Sequence, residues 1–283
     1  MKTIYLTIFE GVEAKNLLRT SVLKNILRDR EVRIVLFTKS DERVSYYRKE
    51  FNDERISYEV VAKPTIRGLD KFFSNLKFLL IQTATMDLRR HLAFTKHRNW
   101  FLYGGGFLMN RILAHAWIRR IIRSLDFHLV RDTTYRRHFE TYKPDLVFLA
   151  HLFDEPEIHL LREAKRRRVQ SVGFINSWDK VTARAAMRLL PDKAIVFNDI
   201  VKHEMMVHND MDPKDILVSG LPQYDFYSTP DHASRETFGK RIGIDPSSKL
   251  IVYAPMGSAF SGSDWTMIDL LSDLNRAGRF GPK

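Results

Sequence analysis

Short apolar runs alternate with longer amphipathic runs along most of this chain, and this alternation limits the folds open to it. The pattern predicts strands at Lys2–Phe9, Val32–Thr38 and Ile56–Ala62, with helices at Val12–Arg28 and Asp41–Phe51 between them. Strands rich in β-branched and aromatic residues that alternate with helices are typical of βα units around a parallel sheet. We therefore predict an α/β protein with a doubly wound sheet.

The pattern changes in the middle of the chain and then returns. Two long helices are predicted at Leu69–Phe94 and Phe107–Leu125, with no strand between them, and they indicate a helical insertion or one face of the sheet. The later elements are strands at Leu146–Ala150, Gln170–Ile175, Lys193–Phe197 and Ile216–Ser219, with helices at Glu155–Arg168 and Ile200–His208. In such sheets ligands gather at the carboxyl ends of the strands, so the loops that follow strands are the candidate sites.

A second, smaller domain is expected near the carboxyl terminus. Gly220–Pro230 is rich in Gly and Pro and is predicted to be a linker, followed by a helix at Ser234–Ile242. A strand at Lys249–Ala254 and a helix at Asp264–Ala277 would begin another βα unit, after which the sequence ends. We expect a first domain over 1–228 and, over 229–283, a linker helix with the truncated start of a second domain.

The composition of the chain limits the kinds of molecule that it is expected to bind. The 283 residues carry 46 Lys and Arg against 34 Asp and Glu, a net charge of +12 that favours anionic partners such as phosphorylated ligands or acidic lipid. The charge is spread along the chain and no nucleic-acid module is recognisable, so we do not expect nucleic acid to bind. The absence of cysteine excludes disulfides and thiol nucleophiles, and the ten histidines show no metal-ligand spacing, so no metal or other cofactor is predicted.

The sequence favours a cytoplasmic protein. No stretch reaches the roughly 18 apolar residues that cross a bilayer, and the first residues resemble a strand rather than a secretory signal. Basic and apolar residues alternate in Trp117–Arg123 and along Leu69–Arg90. These segments predict peripheral contact with an anionic membrane at the inner face of the plasma membrane; the alternative is a pair of solvated helices.

Residues 170 to 260 carry a family resemblance. The order of a strand and loop at Gly173–Thr182, a strand at Pro191–Asn198, a helix with Lys202–Met205 and the segment Gly220–Asp225 resembles the GT-B glycosyltransferases. Their relatives, the UDP-N-acetylglucosamine 2-epimerases and the CDP-glycerol glycerophosphotransferases, share this order. The resemblance implies two Rossmann-like domains that face a cleft, with the acceptor bound by the first and a nucleotide-linked donor by the second, without a metal.

The implied activity is transfer of a sugar from a nucleotide-diphosphate sugar to an acceptor hydroxyl, in a surface glycan, polysaccharide or lipid-linked glycan. Epimerisation of a sugar nucleotide and glycerophosphate transfer are the alternatives within this architecture. The CDP-glycerol glycerophosphotransferases carry a His-Gly-Thr type loop where this chain has Asn176–Lys180, and this difference disfavours glycerophosphate transfer. Two alternatives do not involve catalysis: the chain is an inactive fragment, or it is a non-catalytic protein that binds anions.

The loop after the first strand is the first candidate site. Free backbone N–H groups at the start of the following helix attract anions and acceptor oxygens, and Gly11 allows close approach. Glu10 or Glu13 would serve as general base, while Asn16 and Arg19 would orient the acceptor. The alternative is that Glu13 only stabilises the start of the helix and Arg19 is a surface charge.

The loop Asn176–Lys180 is the second candidate. Asp179 could accept the proton of the acceptor hydroxyl, Lys180 could stabilise phosphate charge, and Trp178 could stack on a sugar. The alternative is that Asp179 caps the next helix and Trp178 fills the edge of the core.

The donor is expected to contact residues near the carboxyl terminus. The turn that contains Gly257, Ser258 and Ser261 can present N–H and hydroxyl groups to a diphosphate, although it is not a Walker A loop. In the similar enzymes the segment that contains Gln223 lies against the cleft, so Gln223 is a further candidate for donor binding.

Overall fold

The computed structural model describes residues 1–62, 64–228, 232–257 and 262–281. The chain divides into two compact units, Met1–Tyr227 and Ser228–Lys283. The division falls within the predicted linker. That the first unit binds an acceptor and the second a donor stays a prediction.

The first unit is built on a sheet of seven strands that all run parallel. The strands are β1 Lys2–Thr7, β2 Val32–Thr38, β3 Ile56–Val60, β4 Leu146–Leu149, β5 Gln170–Phe174, β6 Lys193–Val196 and β7 Ile216–Val218. Their order across the sheet is β3-β2-β1-β4-β5-β6-β7. This is the doubly wound, Rossmann-like arrangement, so the predicted fold class is confirmed.

Helices cover the sheet and form the insertion. In the first unit they are α1 Gly11–Glu13, a π-helical segment Ala14–Leu18, α2 Ser21–Ile26, α3 Asp41–Glu50, α4 Gly68–Leu76, α5 Ala84–His97, α6 Trp100–Leu113, α7 Ala116–Leu129, α8 Arg136–Tyr142, α9 Glu155–Arg166, α10 Lys180–Ala183 and α11 Asp199–Asn209, with short 3₁₀ helices at Pro213–Asp215 and Pro222–Ser228. The second unit contains α12 Arg235–Ile242 and α13 Asp264–Arg276.

The residues of β2 show why the sheet is covered on both faces. Val35 and Phe37 pack into one hydrophobic core, and Ile34 and Leu36, which point to the opposite face, pack into another. Because apolar residues of β2 point to both faces of the sheet, both faces must be covered by helices to keep these residues out of water. The apolar run Val32–Thr38 in the sequence thus determines a three-layer arrangement.

The predicted helix Val12–Arg28 is wrong as one continuous helix. It begins as α1, widens into the π-helical segment and restarts as α2. Polar side chains bond to the backbone here: Asn16 Nδ2 donates to the Val12 carbonyl at 2.9 Å, and Thr20 Oγ1 donates to the Asn16 carbonyl at 2.8 Å. Such side-chain bonds compete with regular helix, and π-helical segments are frequent at functional sites.

The insertion contains four helices, α4 to α7, where the sequence analysis predicted two. Thr83 caps α5 and Asn99 caps α6, each with a side-chain oxygen that accepts a backbone N–H bond. Between α5 and α6, Arg98 adopts a left-handed conformation with φ of 48°, which ends the first of the two helices. The cap residues are therefore the signal that divides the apolar run.

The second unit lacks the predicted strand at Lys249–Ala254. Among its described residues, 249–257 form no regular structure, and the regular elements are the helices α12 and α13. The described part of this unit offers no other strand to pair with, and an unpaired strand would leave its backbone groups without partners. The helix predicted at Asp264–Ala277 is present as α13.

Candidate functional site

The middle of the sheet is where doubly wound proteins generally form a ligand-binding crevice. β1 and β4 are neighbours, the chain leaves β1 toward β2 and leaves β4 toward β5, and the loops at the two carboxyl ends therefore diverge. Ligands of doubly wound proteins bind at this topological switch point. The residues that follow β1 and β4 are accordingly the candidate active site.

Glu157 of α9 ties the ends of β1 and β4 together from below this crevice. Its fully buried carboxylate accepts the Thr7 hydroxyl and the backbone N–H groups of Ala150, His151 and Leu152, the last three at 3.0, 2.9 and 2.5 Å. Burial raises the pKa of Glu157 to about 7, against the opposing effect of these donors. Because both oxygens accept hydrogen bonds, Glu157 is the member of the local carboxyl pair that holds the negative charge.

Glu13 is the other member of this pair. It is only 1% exposed, and its Oε2 accepts the backbone N–H groups of Phe9 at 2.5 Å and Glu10 at 2.9 Å. Its Oε1 has no hydrogen-bond partner among the described residues. Burial and the nearby Glu157 charge raise the pKa of Glu13 to about 8. The unpaired Oε1 is the atom that can carry this proton.

Two basic groups lie within electrostatic reach of these carboxyl groups. Burial lowers the pKa of Lys180, at the start of α10, and the charges of Glu13 and Asp154 oppose the shift. Burial and the Lys180 charge lower the pKa of His151 to about 4, so its imidazole is neutral at pH 7. The Phe153 N–H donates to His151 Nδ1 at 3.4 Å. The crevice thus combines a protonated carboxyl, a neutral imidazole and an ammonium group.

The exposed entrance to the loop after β1 is positively charged. Glu10 pairs with Lys39, at the end of β2, and lies 3.7 Å from Arg43. Gly11 is exposed, and a Cβ atom built on it would meet nothing within 4 Å, so a ligand can approach its backbone. Glu10 is half-exposed and already paired with a cation, which makes Glu13 the better proton carrier of the two predicted bases.

The structure places Asn16 and Arg19, the two residues predicted to orient the acceptor, in different surroundings. Asn16 is fully buried in the π-helical segment, and its Oδ1 has no hydrogen-bond partner among the described residues. Arg19 instead points to α3, where its guanidinium donates two bonds to Glu50, at 2.6 and 2.8 Å, and one to Tyr46. Arg19 therefore has a structural partner that the sequence pattern did not reveal.

The loop Asn176–Lys180 follows β5 at the same edge of the sheet. Asn176 is buried, and neither amide atom of its side chain has a partner in the described chain. Trp178 is 74% exposed and does not fill the core. Asp179 accepts the Ser177 hydroxyl and makes no side-chain cap to α10. Acceptor contact by Trp178 and catalysis by Asp179 stay predictions.

The predicted donor contacts fall in different parts of the chain. Gln223 is half-buried in the 3₁₀ helix Pro222–Ser228 of the first unit. In the second unit, Gly257 adopts φ of 84° and its N–H donates to Asp264 Oδ2 at 2.9 Å. Ser258 and Ser261 lie outside the described residues. Donor binding by these residues stays a prediction.

A second cluster of charges lies beneath the insertion, and we call it the ion-pair network. It comprises Asp70, Lys77, Asp126, Asp132, Glu155, His159, Arg162 and Arg188. Asp70, Glu155 and His159 offer ligand atoms within 4.8 Å of one another, as a metal site would. However, Arg188 lies 2.8 Å from Asp70 and 2.5 Å from Glu155, so a cation already neutralises these carboxylates. The set fits a metal poorly.

Sequence reasoning missed several residues of the crevice, namely Lys39, His151, Asp154, Glu157 and Arg184. The usable signal for His151 was its position directly after a predicted strand. Identifying it would have required the strand order, because only the adjacency of β1 and β4 brings this loop to Glu13.

Among known proteins, the similarity of this chain is to a solved structure. No protein-family model matches the chain, and a search of curated proteins finds no match. Among solved structures, the chain is similar to a protein from Listeria monocytogenes described as a UDP-N-acetylglucosamine 2-epimerase, with 11% sequence identity and a TM-score of 0.45. The match covers 84% of this chain and 52% of that one, so the chain spans about half the length of this similar structure.

The lengths and apolar character of the helices bear on whether the chain can cross a membrane. In the part of the chain that the structure describes, none combines the length and the apolar character that a bilayer span requires.

Proposed function

We propose that this chain supplies the acceptor side of an enzyme that transfers a sugar from a nucleotide-diphosphate sugar to an acceptor hydroxyl, with Glu13 as general base. The observation that carries the proposal is the buried Glu13 carboxyl at the switch point, with its unpaired Oε1 and its pKa raised to about 8. A general base works best when its pKa lies near the working pH. The resemblance of residues 170 to 260 to GT-B enzymes supplies the expected substrate class.

The proposed reaction exchanges one bond to the sugar for another. The acceptor oxygen bonds to the anomeric carbon, the bond from that carbon to the diphosphate oxygen breaks, and the proton of the acceptor hydroxyl passes to Glu13 Oε1. The nucleoside diphosphate leaves with the electron pair. Lys180 and Arg184 add positive charge near this crevice, which favours anionic substrates. The proposal includes no metal ion.

A donor assay tests this proposal. The purified protein is incubated with UDP-, GDP- and CDP-linked sugars and an acceptor mixture, with and without EDTA, and release of nucleoside diphosphate is measured. Glu13→Gln keeps an oxygen for the N–H groups of Phe9 and Glu10 but cannot take a proton, so we expect a rate about 10²–10⁴-fold lower. Glu42→Gln, on the exposed side of α3, serves as the matched control.

Wild-type activity should rise with pH up to about 8, as Glu13 loses its proton. Failure of every donor to turn over, or full activity of Glu13→Gln, would contradict the proposal. If Asp179→Asn lost activity while Glu13→Gln did not, the base would be Asp179.

Epimerisation of a sugar nucleotide is the second candidate. A carboxyl group whose pKa lies near 8 can also move a proton to and from carbon, which this chemistry requires. The two reactions give different products in the same assay. Incorporation of deuterium from D₂O into the sugar without an acceptor would identify the epimerase, whereas acceptor-dependent release of nucleoside diphosphate would identify the transferase.

We further propose that the insertion contacts an anionic membrane. Residues 84–129 carry eight Lys or Arg against two Asp, a net of +6, which is half of the chain's excess charge. Thirteen large apolar side chains of the same segment are exposed, and Phe101 is 93% exposed. Exposed apolar groups among cations match the chemistry of an acidic bilayer surface.

Vesicle sedimentation tests the contact. Vesicles that contain phosphatidylglycerol should bind the protein, vesicles of phosphatidylcholine should bind it less, and Phe101→Ser should weaken binding at least threefold. Trp265→Ser, which removes an exposed aromatic residue from α13, should leave binding unchanged. Equal binding by Phe101→Ser and wild type would contradict the proposal. The proposal would also be contradicted if the wild type self-associated without vesicles and Phe101→Ser abolished that self-association.

A further inference from the structure

A cavity of about 390 Å³ lies between α5 and α6, and we call it the insertion cavity. Its volume is within the range of about 300–1,000 Å³ that is typical of small-molecule sites. Apolar and aromatic side chains form most of its wall, among them Met86, Phe94, Leu102 and Tyr103. Such a wall suits a hydrocarbon chain and disfavours a sugar, whose hydroxyl groups would lose their hydrogen bonds to water.

A glycine keeps the insertion cavity open. Gly104, Gly105 and Gly106 lie inside α6, although glycine destabilises the interior of a helix. Gly106 lines the cavity, and a Cβ atom built on it would meet nothing within 4 Å. The backbone therefore has room for a Cβ atom at position 106, and a larger apolar side chain there would take up space in the cavity.

Basic side chains lie at the wall of the insertion cavity. Arg89, Arg90 and His97 line it together with the apolar residues. Arg90 is paired with Asp87 at 2.7 Å, whereas exposed Arg89 uses one Nη atom in a bond to a backbone carbonyl, and no carboxylate of the described chain pairs with it. An arginine has five N–H donors, so Arg89 retains donors for an anion. The charge beside the apolar wall thus favours an anionic head group.

The insertion cavity is joined to the candidate active site through α10. Arg89 donates to the Ala183 carbonyl at 2.5 Å, and Thr83, which caps α5, donates to the Thr182 carbonyl at 2.7 Å. Both acceptors belong to α10, the helix that begins with Lys180. A molecule held at Arg89 would therefore lie against the helix whose first residue supplies a positive charge to Glu13.

We propose that the insertion cavity binds the hydrocarbon chain of a single amphiphile whose phosphate head group contacts Arg89. The further identification of this amphiphile as the acceptor rests on the function proposed above. The binding itself does not, and it can be measured without turnover.

Calorimetric titration with dodecyl phosphate, below its micellar concentration, tests the binding. Inorganic phosphate supplies the head group without the chain, and dodecyl maltoside supplies the chain without the charge. We expect dodecyl phosphate to bind at least tenfold more tightly than either. Inorganic phosphate that binds as tightly would indicate a site for free phosphate and overturn the proposal; dodecyl maltoside that binds as tightly would remove the role of Arg89.

Two matched pairs of variants locate the ligand. Gly106→Leu should weaken the binding of dodecyl phosphate at least tenfold, whereas Gly104→Leu, in the same helix and outside the cavity wall, should not. Arg89→Gln should weaken the binding of dodecyl phosphate and leave the binding of dodecyl maltoside unchanged. Arg98→Gln, which removes the same charge elsewhere, is the control. Unchanged binding by Gly106→Leu would overturn the proposal.

Glu13→Gln separates this proposal from the proposed function. This variant should bind dodecyl phosphate as the wild type does, because Glu13 is not part of the cavity wall. Binding without any donor turnover in the wild type would refute the transferase and leave the lipid site in place. If Gly106→Leu and the wild type turned over donor equally and bound dodecyl phosphate with equal affinity, the lipid site would be refuted and the proposed function would not.

Discussion

Two groups of buried charges in the first unit differ in whether their charges are paired. In the ion-pair network, four carboxylates face three cations and the His159 ring, and each carboxylate lies within 3.0 Å of one of these groups. His159 has a carboxylate oxygen 3.0 Å from each ring nitrogen. Burial lowers its pKa, but the carboxylates of Asp132 and Asp70 outweigh this effect and raise the pKa above its ordinary value, and Nε2 shares a hydrogen bond with Asp70.

Glu13 and Glu157 present the opposite case. No Lys, Arg or His in the described part of the chain lies within 4.0 Å of either carboxylate. Burial and the nearby charge of Glu157 raise the pKa of Glu13 to about 8, so this carboxyl group binds a proton more readily than an exposed one does. Paired charges fix the geometry of the insertion, whereas an unpaired carboxyl keeps a proton that can be transferred. The comparison supports the proposal that Glu13, and not a member of the ion-pair network, is the general base.

The largest effect is expected from breaking the ion-pair network at Arg188. Its buried guanidinium contacts Asp70, Asp126 and Glu155. Arg188→Met keeps most of the volume but leaves these carboxylates without their shared cation, and we expect a loss of about 3–5 kcal/mol in the free energy of unfolding. Urea denaturation measures this difference.

The matched control is Arg136→Met, which breaks an exposed pair with Glu140. We expect this variant to lose less than about 1 kcal/mol. An equally small loss for Arg188→Met would show that pairing does not distinguish the network from the crevice.

An effect of up to similar size, but one that depends on pH, is expected from Glu13→Gln. Because the pKa of Glu13 is raised from its ordinary value of 4.5 to about 8 in the folded protein, the folded state holds a proton that the unfolded state lacks between these values. The stability of the wild type therefore falls as the pH rises through this window, by at most about 1.4 kcal/mol per pH unit from this group. Glu13→Gln should match the wild type near pH 4 and become progressively more stable than it toward pH 8.

Chemical denaturation at several pH values checks this expectation. His159, whose pKa is also raised, loses its stabilising effect as the pH rises above 6.5, but this contribution is present in both proteins and cancels in the difference. Glu42→Gln should show no such pH dependence. A constant difference between Glu13→Gln and wild type across the range would mean that Glu13 is ionised throughout.

The sequence was sufficient for the sheet because each strand is specified locally. Runs such as Val32–Thr38 are apolar on both faces, and the structure begins and ends β2 at the predicted residues. The prediction at Lys249–Ala254 was wrong because strand propensity does not supply a pairing partner. The division of the insertion was missed because it depends on the caps at Thr83 and Asn99, single residues that the apolar pattern does not reveal.

The candidate site was predictable only in part. The loop after β1 could be nominated, because the start of a helix after a first strand is a known binding position. The choice between Glu10 and Glu13 could not be made, since it depends on burial and on Lys39 and Glu157, which come from distant parts of the sequence. Pairing of charges is a property of the folded chain, and the sequence lists the charges without their neighbours.

The smallest effect is expected from Arg19→Ala, which tests an exposed pair against the buried ones. Arg19 and Glu50 are each more than 30% exposed, so water and salt screen their attraction, and we expect a loss of no more than about 1 kcal/mol in unfolding free energy, which shrinks further in 1 M NaCl. If Arg19 instead contacts the acceptor, as the sequence predicted, the variant would raise the KM for the acceptor with unchanged stability. Because its donors already bond to Glu50 and Tyr46, we expect the KM to stay within twofold of the wild type. A larger rise would return Arg19 to the acceptor site and show that its pairing with Glu50 yields to substrate.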